Sequence, residues 1–244
     1  MEPALGPRVH RAVWTPQWSY VSSPRRIVNE LREWLVRAGV TIAQGEVNAL
    51  LPEQASPQVV LTNGTRLPVD KIVVAAGAWS GRLAGALGDR VLLESERGYN
   101  MTIPNSGVSL ERLLIFAERK FVATPLREGL RIGGAAEYGG LRAKANYKRS
   151  DVLVELARTY LPGLQTDGGT SWAGHRPATP DSLPVIGRSP RHPHLFYAFG
   201  HGHLGLTQSA TTGKLVSELV LDGRPSIDLA PYAIERFTPG RASS

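Results

Sequence analysis

The segment Gly200-His201-Gly202-His203-Leu204-Gly205 spells Gly-x-Gly-x-x-Gly between an apolar run, Leu195-Phe196-Tyr197-Ala198-Phe199, and a helical pattern reaching Glu218. Strand, glycine turn and helix in that order bring backbone N–H groups close to a bound anion. A dinucleotide fingerprint opens a βαβ unit, however, so a second strand ending in an acidic residue would follow about 20 residues on. Here the helix runs instead into Asp222-Gly223-Arg224-Pro225 and a proline-containing tail. The loop therefore predicts the close of an α/β domain, not its opening. Trp172-Ala173-Gly174-His175-Arg176-Pro177 and a second apolar run, Leu183-Pro184-Val185-Ile186-Gly187, lie just upstream.

With 244 residues, 42% of them apolar and 20% charged, the chain can bury a real core as one large domain or two small ones. No apolar run approaches the ~18 residues of a membrane span. Met1-Glu2-Pro3-Ala4-Leu5 lacks the basic and apolar regions of a signal peptide, so a cytoplasmic location is the expectation. The absence of cysteine excludes disulfides, thiolate metal sites and cysteine nucleophiles. The formal charge of +7 is spread over scattered pairs such as Arg25-Arg26, Arg119-Lys120 and Lys148-Arg149. No RNA-binding aromatic signature or helix-turn-helix accompanies it, so it reads as a solvated basic surface and no nucleic-acid partner is expected.

Along the chain, Pro3 to Tyr20 is irregular. Ser23 and Pro24 supply an N-cap and a first-turn proline for an amphipathic helix through Ile27, Leu31, Trp34, Leu35 and Ala38, with Glu33 and Arg37 paired on its surface and Gly39 at its end. Val40-Thr41-Ile42 predicts a short strand. Val59–Thr62 and Arg66–Val69 flank Asn63-Gly64, a hairpin turn signal. The run from Lys71 through Val74 predicts a strand covered on both faces, and Ala75-Ala76-Gly77 permits close backbone approach before a short helix through Leu83 and Leu87. From Val91 to about Gly140 successive β segments predict an antiparallel sheet inserted between α/β elements. Ser150 then predicts the cap of a helix with Leu153, Leu156, Ala157 and Tyr160 on one face, and a final helix carries Leu215, Val216, Leu219 and Val220.

Two features carry chemistry. Arg176 offers a planar fork that matches a carboxylate bidentately; a surface arginine held in a salt bridge explains the same residue equally well. The helix beginning near Leu206 presents unpaired N–H groups and a positive dipole end, with Gly202 and Gly205 allowing close approach; a plain strand-to-helix turn is the alternative. His201 and His203 read as loop residues with local hydrogen bonds. No nearby carboxylate completes a ligand set, so no metal site is expected. Ser80 lacks a Gly-x-Ser-x-Gly elbow, and no phosphate-binding lysine follows a glycine loop.

Taken in order, Glu2-Pro3-Ala4-Leu5, the helix after Pro24, Val73-Val74-Ala75-Ala76-Gly77-Ala78-Trp79-Ser80, Arg97-Gly98-Tyr99, Arg131-Ile132-Gly133-Gly134 with Glu137, Gly174-His175-Arg176-Pro177 with Thr179-Pro180-Asp181, Leu183–Gly187 and Gly200–Gly205 span nearly the whole chain. Together they resemble the FAD-dependent oxidoreductases of the D-amino-acid oxidase and glycine oxidase group, most of all the bacterial D-amino-acid dehydrogenases. The resemblance implies an α/β fold, α+β overall: the remainder of a Rossmann-like FAD-binding domain (23–90 and 171–225) with an inserted antiparallel β-sheet substrate domain (1–22 and 91–170) and a tail (226–244). It implies FAD as cofactor and oxidation of a D-amino acid or related amine by hydride transfer to flavin N5, without an obligatory side-chain base.

By the same resemblance Arg176 holds the substrate carboxylate, with Tyr99, Phe121 and His203 as further substrate contacts. Gly202, His203, Leu204, Gly205, Leu206 and Thr207 approach the flavin pyrimidine edge. Val47 touches the adenine side, while Ala75, Ala76, Gly77 and Trp79 pass near the rest of the cofactor. Such families open with a βαβ unit carrying the dinucleotide fingerprint, and these residues hold none. The expectation is a C-terminal portion of such an enzyme, or a non-catalytic remnant or subunit that needs a partner chain or self-association to complete the FAD site. The electron acceptor, quinone or oxygen, and any peripheral contact with the inner membrane stay open.

Overall fold

The computed structural model describes residues 2–53, 56–221 and 223–238. Asp222, read above as part of the turn after the last helix, and the end of the tail, 239–244, lie outside the described residues, as does Met1. In chain order the elements are α1 (Pro24–Arg37), β1 (Val47–Leu51), β2 (Gln58–Leu61), β3 (Arg66–Pro68), β4 (Ile72–Val74), α2 (Ser80–Ala86), β5 (Glu94–Ile103), β6 (Leu114–Phe116), β7 (Phe121–Leu126), β8 (Gly129–Tyr138), α3 (Lys148–Arg158), β9 (Thr170–Ala178), β10 (Val185–Arg188), β11 (Leu195–Phe199) and α4 (Gly205–Leu221). They fall into two units: residues 2–41, 97–137 and 143–174, and residues 42–96, 138–142 and 175–238. Helix α1, assigned from sequence to the FAD-binding part, falls in the first unit.

A five-stranded sheet runs in the order β6-β7-β8-β5-β9, with β7 antiparallel to both β6 and β8; most of it lies in the first unit, while the ends of β5 (Glu94 to Glu96), β8 (Tyr138) and β9 (His175 to Ala178) fall in the second. Its core gathers Ile103, Phe121, Leu130, Ile132, Leu153, Val154 and Leu161, all buried. Ser150 does not cap α3. Tyr147 occupies the cap position, and Ser150, wholly buried within the helix, donates its hydroxyl to the Asn100 carbonyl at 3.3 Å. Ser23 takes the N-cap position of α1 in extended conformation with Pro24 in the first turn, as expected, but its side chain makes no capping hydrogen bond, because its hydroxyl donates to Glu128 at 2.6 Å instead.

Helix α1 has the expected surface pair, Arg37 and Glu33, at 3.9 Å, yet none of its residues is buried. Val40-Thr41-Ile42 is not a strand. The Gly39 and Val40 amides turn back to close the helix end on the Val36 and Leu35 carbonyls at 3.0 Å each, which takes the Val40 amide out of any ladder.

The second unit holds two small sheets, β1-β2-β3 and β10-β11-β4. The first contains the hairpin expected at Asn63-Gly64, where the Asn63 side chain accepts from the Thr65 amide at 3.0 Å. In the second, β11 pairs antiparallel with β10 and parallel with β4. Strand β4 is not covered on both faces. Ile72 and Val74 are buried, but Val73 is 42% exposed, because only the face carrying Ile72 and Val74 meets the core of Leu50, Leu83, Val185, Leu195 and Phe199.

Candidate functional site

Because β11 and β4 run parallel, with Phe196 opposite Val73 and Tyr197 opposite Val74, both strands end at the same side of their sheet. The carboxyl ends of parallel strands are where α/β sheets bind ligands. Beyond β4 come Ala75 and Ala76, both exposed, and half-buried Gly77. Beyond β11 the chain makes the glycine turn, a short 3-10 turn at Gly202–Leu204 and then α4. Gly200 needs its missing side chain twice over: its φ is +86°, and a Cβ there would meet Thr179 Cγ2 at 3.1 Å. Gly202 has φ +52° and nothing within 4 Å of where a Cβ would stand. The turn thus leaves open space in front of backbone amides that lead into a helix.

Beside this turn a cleft of about 740 Å³ is lined by Leu93, Glu96, Tyr138, Thr179, Gly200 and His203, among others. Glu96 lies on β5 with only 10% of its side chain exposed. One of its oxygens, Oε1, accepts from Arg176 Nη1 at 3.0 Å and sits 2.8 Å from His203 Nε2. The other accepts from the Tyr138 hydroxyl at 3.4 Å. The Glu96 charge raises the Tyr138 phenol above its ordinary pKa, with burial adding to it. Arg176 and His203 are therefore brought together on one carboxylate, and both the salt bridge and the substrate fork remain compatible with a side chain that is 28% exposed.

Around this core, Ser95 Oγ lies 2.6 Å from His175 Nδ1, and Trp79, half exposed, meets the His175 ring edge-on at 5.3 Å. His201 lies 2.9 Å from Thr212 Oγ1 through Nε2, and burial pushes its pKa down. Leu204, Leu206 and Thr207 are exposed and Gly205 is half-buried. Val47 opens β1, and its carbonyl accepts from Arg82 Nη2 at 3.2 Å, by a second cavity of about 570 Å³ lined by Asn48, Leu51, Arg82, Leu87 and His192, among others.

Tyr99 and Phe121 belong to the first unit. Phe121 is 0% exposed in the apolar core, stacked on Phe116 with centroids 4.2 Å apart, so its ring is committed to packing there. The Tyr99 side chain is also buried. Its hydroxyl donates to Glu137 and accepts from the Asn146 amide at 3.1 Å. Glu137 also receives Arg149 at 3.2 Å, and its pKa is lowered, first by the Tyr99 hydrogen bond. Glu96 and Tyr138 were missed in the sequence. A half-buried arginine on a strand asks for a carboxylate, and that requirement was the available signal, but nothing in the spacing singles out Glu96. Among the described residues no group of three or more His, Cys, Asp and Glu is arranged to hold a metal ion, and no helix is long and apolar enough to cross a membrane.

Comparison with known proteins adds a lineage to this geometry. A family model described as DAO, FAD dependent oxidoreductase, matches residues 1–219. A D-amino-acid oxidase of Bradyrhizobium diazoefficiens is 35% identical over 97% of this chain and 57% of its own length. A D-amino acid dehydrogenase of Rhizobium johnstonii is 33% identical over 87% of this chain and 51% of its own. Among solved structures, glycine oxidase from Geobacillus kaustophilus matches with a TM-score of 0.73 at 25% identity, covering 82% of this chain and 55% of that one. The chain spans a little over half the length of the curated relatives it matches.

Proposed function

Because the chain belongs to the DAO family of FAD-dependent oxidoreductases, we propose that it is the substrate-holding portion of a flavoenzyme that oxidises a D-amino acid or a related amine. The observation that carries this reading is the convergence at one sheet end. The turns after β4 and β11 emerge side by side, and His203 of the second turn shares the Glu96 carboxylate with Arg176.

The residues suit FAD. The open space before Gly202 lets a ring system approach the backbone, and the amides leading into α4 favour the negative charge of a reduced pyrimidine edge. The exposed Ala75 and Ala76 and half-exposed Trp79 offer small and flat surfaces for the rest of the cofactor. When bound, FAD supplies the two-electron acceptor that takes the substrate α-hydrogen as hydride. The protein's share is alignment. Arg176 grips the substrate carboxylate, and Glu96 and His203 hold that arginine beside the glycine turn.

The open edge of β4 favours a second reading for this stretch taken alone, in which the cofactor site is completed by a further segment or chain. Both readings are tested together. The chain is purified alone and joined to a βαβ dinucleotide-binding half, then assayed for visible flavin absorbance and for oxidation of D-amino acids with an artificial electron acceptor. Flavin and turnover in the joined protein support the enzyme reading. A joined protein that binds FAD stoichiometrically but oxidises neither D-amino acids nor amines overturns it.

A further inference from the structure

We propose that Glu96 is the positioning residue of the site, setting the Arg176 guanidinium so that its unused edge faces an incoming carboxylate. This rests on the function proposed above for Arg176 and adds the group through which that arginine is held.

The argument begins with donors. Among the described residues Glu96 alone hydrogen-bonds the Arg176 guanidinium, and it does so through Nη1 only. Nε and Nη2 remain, on a side chain 28% exposed, and these two nitrogens suffice for a bidentate grip on one carboxylate. Arg176 has a reason to stay where it is. Glu96 is a largely buried carboxylate, and a guanidinium that swung away towards a ligand would leave that charge without its counter-ion. The arginine therefore bridges two carboxylates, one internal and fixed, the other arriving with the ligand.

Glu96 has a second duty through the same oxygen. His203 Nε2 approaches Oε1 at 2.8 Å, and His203 lies in the 3-10 turn that leads into α4. One oxygen thus ties the arginine on β9 to the turn after β11, while Tyr138 holds the other oxygen. A side chain with two anchored oxygens cannot rotate without breaking both contacts, which is what preorganisation requires.

Charge alone predicts the opposite of positioning, and this makes the proposal testable. Removing Glu96 raises the local positive charge and, by Coulomb attraction alone, tightens binding of any anion. Positioning requires that the same change weaken it, because the fork is no longer held in register. The probe is acetate, titrated into the full 15N-labelled chain without cofactor. The Arg176 Nε–H signal, assigned by its loss in Arg176→Lys, is followed by NMR.

The expected result is weaker acetate binding in Glu96→Ala by about fivefold or more, the loss of a preorganised contact, and recovery of most of that loss in Glu96→Gln. Glutamine keeps one acceptor oxygen for Arg176 and His203, loses the charge, and turns an NH2 donor towards Tyr138, whose hydroxyl can accept from it. In the FAD-loaded joined protein, Glu96→Ala raises KM for D-alanine with little change in kcat. Acetate binding as tight in Glu96→Ala as in the wild type, or tighter, overturns the proposal, as does a Glu96→Gln variant no better than alanine. The acetate arm needs no turnover, so a wild-type protein that oxidises nothing refutes the enzyme reading while leaving Glu96 to be decided by the titration.

Discussion

The Tyr197 hydroxyl donates to Oδ2 of Asp89 at 2.7 Å, on a carboxylate that Ser189 also reaches and Arg191 approaches at 3.4 Å. Asp89 is 3% exposed and Tyr197 0%, so this pair ties the end of α2 to the middle of the strand that feeds the glycine turn. Burial, helped by Asp89, pushes the Tyr197 phenol well above its ordinary pKa. Asp89→Ala strands two buried hydroxyls and is expected to cost about 2–4 kcal/mol of unfolding free energy, whereas Tyr197→Phe, which leaves Ser189 on the carboxylate, costs about 1 kcal/mol. Urea unfolding followed by far-UV circular dichroism measures both. Equal losses would show that the carboxylate does not organise the pair.

Gly200 and Gly202 separate two reasons for glycine. Both have positive φ, so alanine at either incurs roughly 1–2 kcal/mol of backbone strain. At Gly200 the added methyl also meets Thr179 and the Val185 amide, while at Gly202 it meets nothing. Gly200→Ala is therefore expected to lower the thermal midpoint more than Gly202→Ala. Under the proposed function the order reverses for flavin affinity, because the Gly202 methyl would occupy the space offered to the ring. Scanning calorimetry and flavin titration of the two variants in the joined protein give both orders.

Arg176→Lys keeps the charge and discards the fork. A lysine reaches a carboxylate as a point charge, so loss of the charge-assisted bidentate contact is expected to weaken carboxylate binding by about 1.5–3 kcal/mol. KM for D-alanine in the joined protein is the measurement. A lysine variant with wild-type KM removes Arg176 from the substrate site.

Much of the local fold is legible in the sequence. The hairpin at Asn63-Gly64 and the strand-turn-helix from Leu195 onward are local, and each is specified by residues within a few positions of itself. Among the described residues no strand follows α4. Where the reading went astray, a distant partner had taken over a local group. Glu128 claims the Ser23 hydroxyl from 105 residues away, and Asn100 claims that of Ser150. Glu96 was missed for the same reason: its contacts with Arg176 and His203 lie 80 and 107 residues along the chain, and no spacing rule spans that distance. Strand β4 looked covered on both faces because an apolar run cannot say whether anything packs on its second face.

His201 makes stability depend on pH with a definite sign. Burial lowers its pKa in the folded protein, so the unfolded chain binds the proton more readily. The contribution to stability is present above the ordinary histidine range and is lost as pH falls through it towards the lower folded value. The expectation is a fall in thermal midpoint on acidification from neutral pH that is smaller in His201→Asn. A variant with the same acid dependence as the wild type would assign the effect to other groups.

Helix α1 offers a test of what amphipathicity alone is worth. Ile27, Leu31 and Trp34 are placed at helical spacing, and the helix forms, yet they are 44%, 56% and 58% exposed. An apolar stripe in water contributes little to the stability of the chain that carries it and favours association instead. Leu31→Lys combined with Trp34→Lys is therefore expected to leave the unfolding free energy of the chain unchanged to within about 0.5 kcal/mol, because no buried contact is lost. The same variant should show a smaller hydrodynamic radius at high concentration by dynamic light scattering. A stability loss of several times that size would mean that the stripe is packed in solution, since only buried apolar area removed from its partner can produce it.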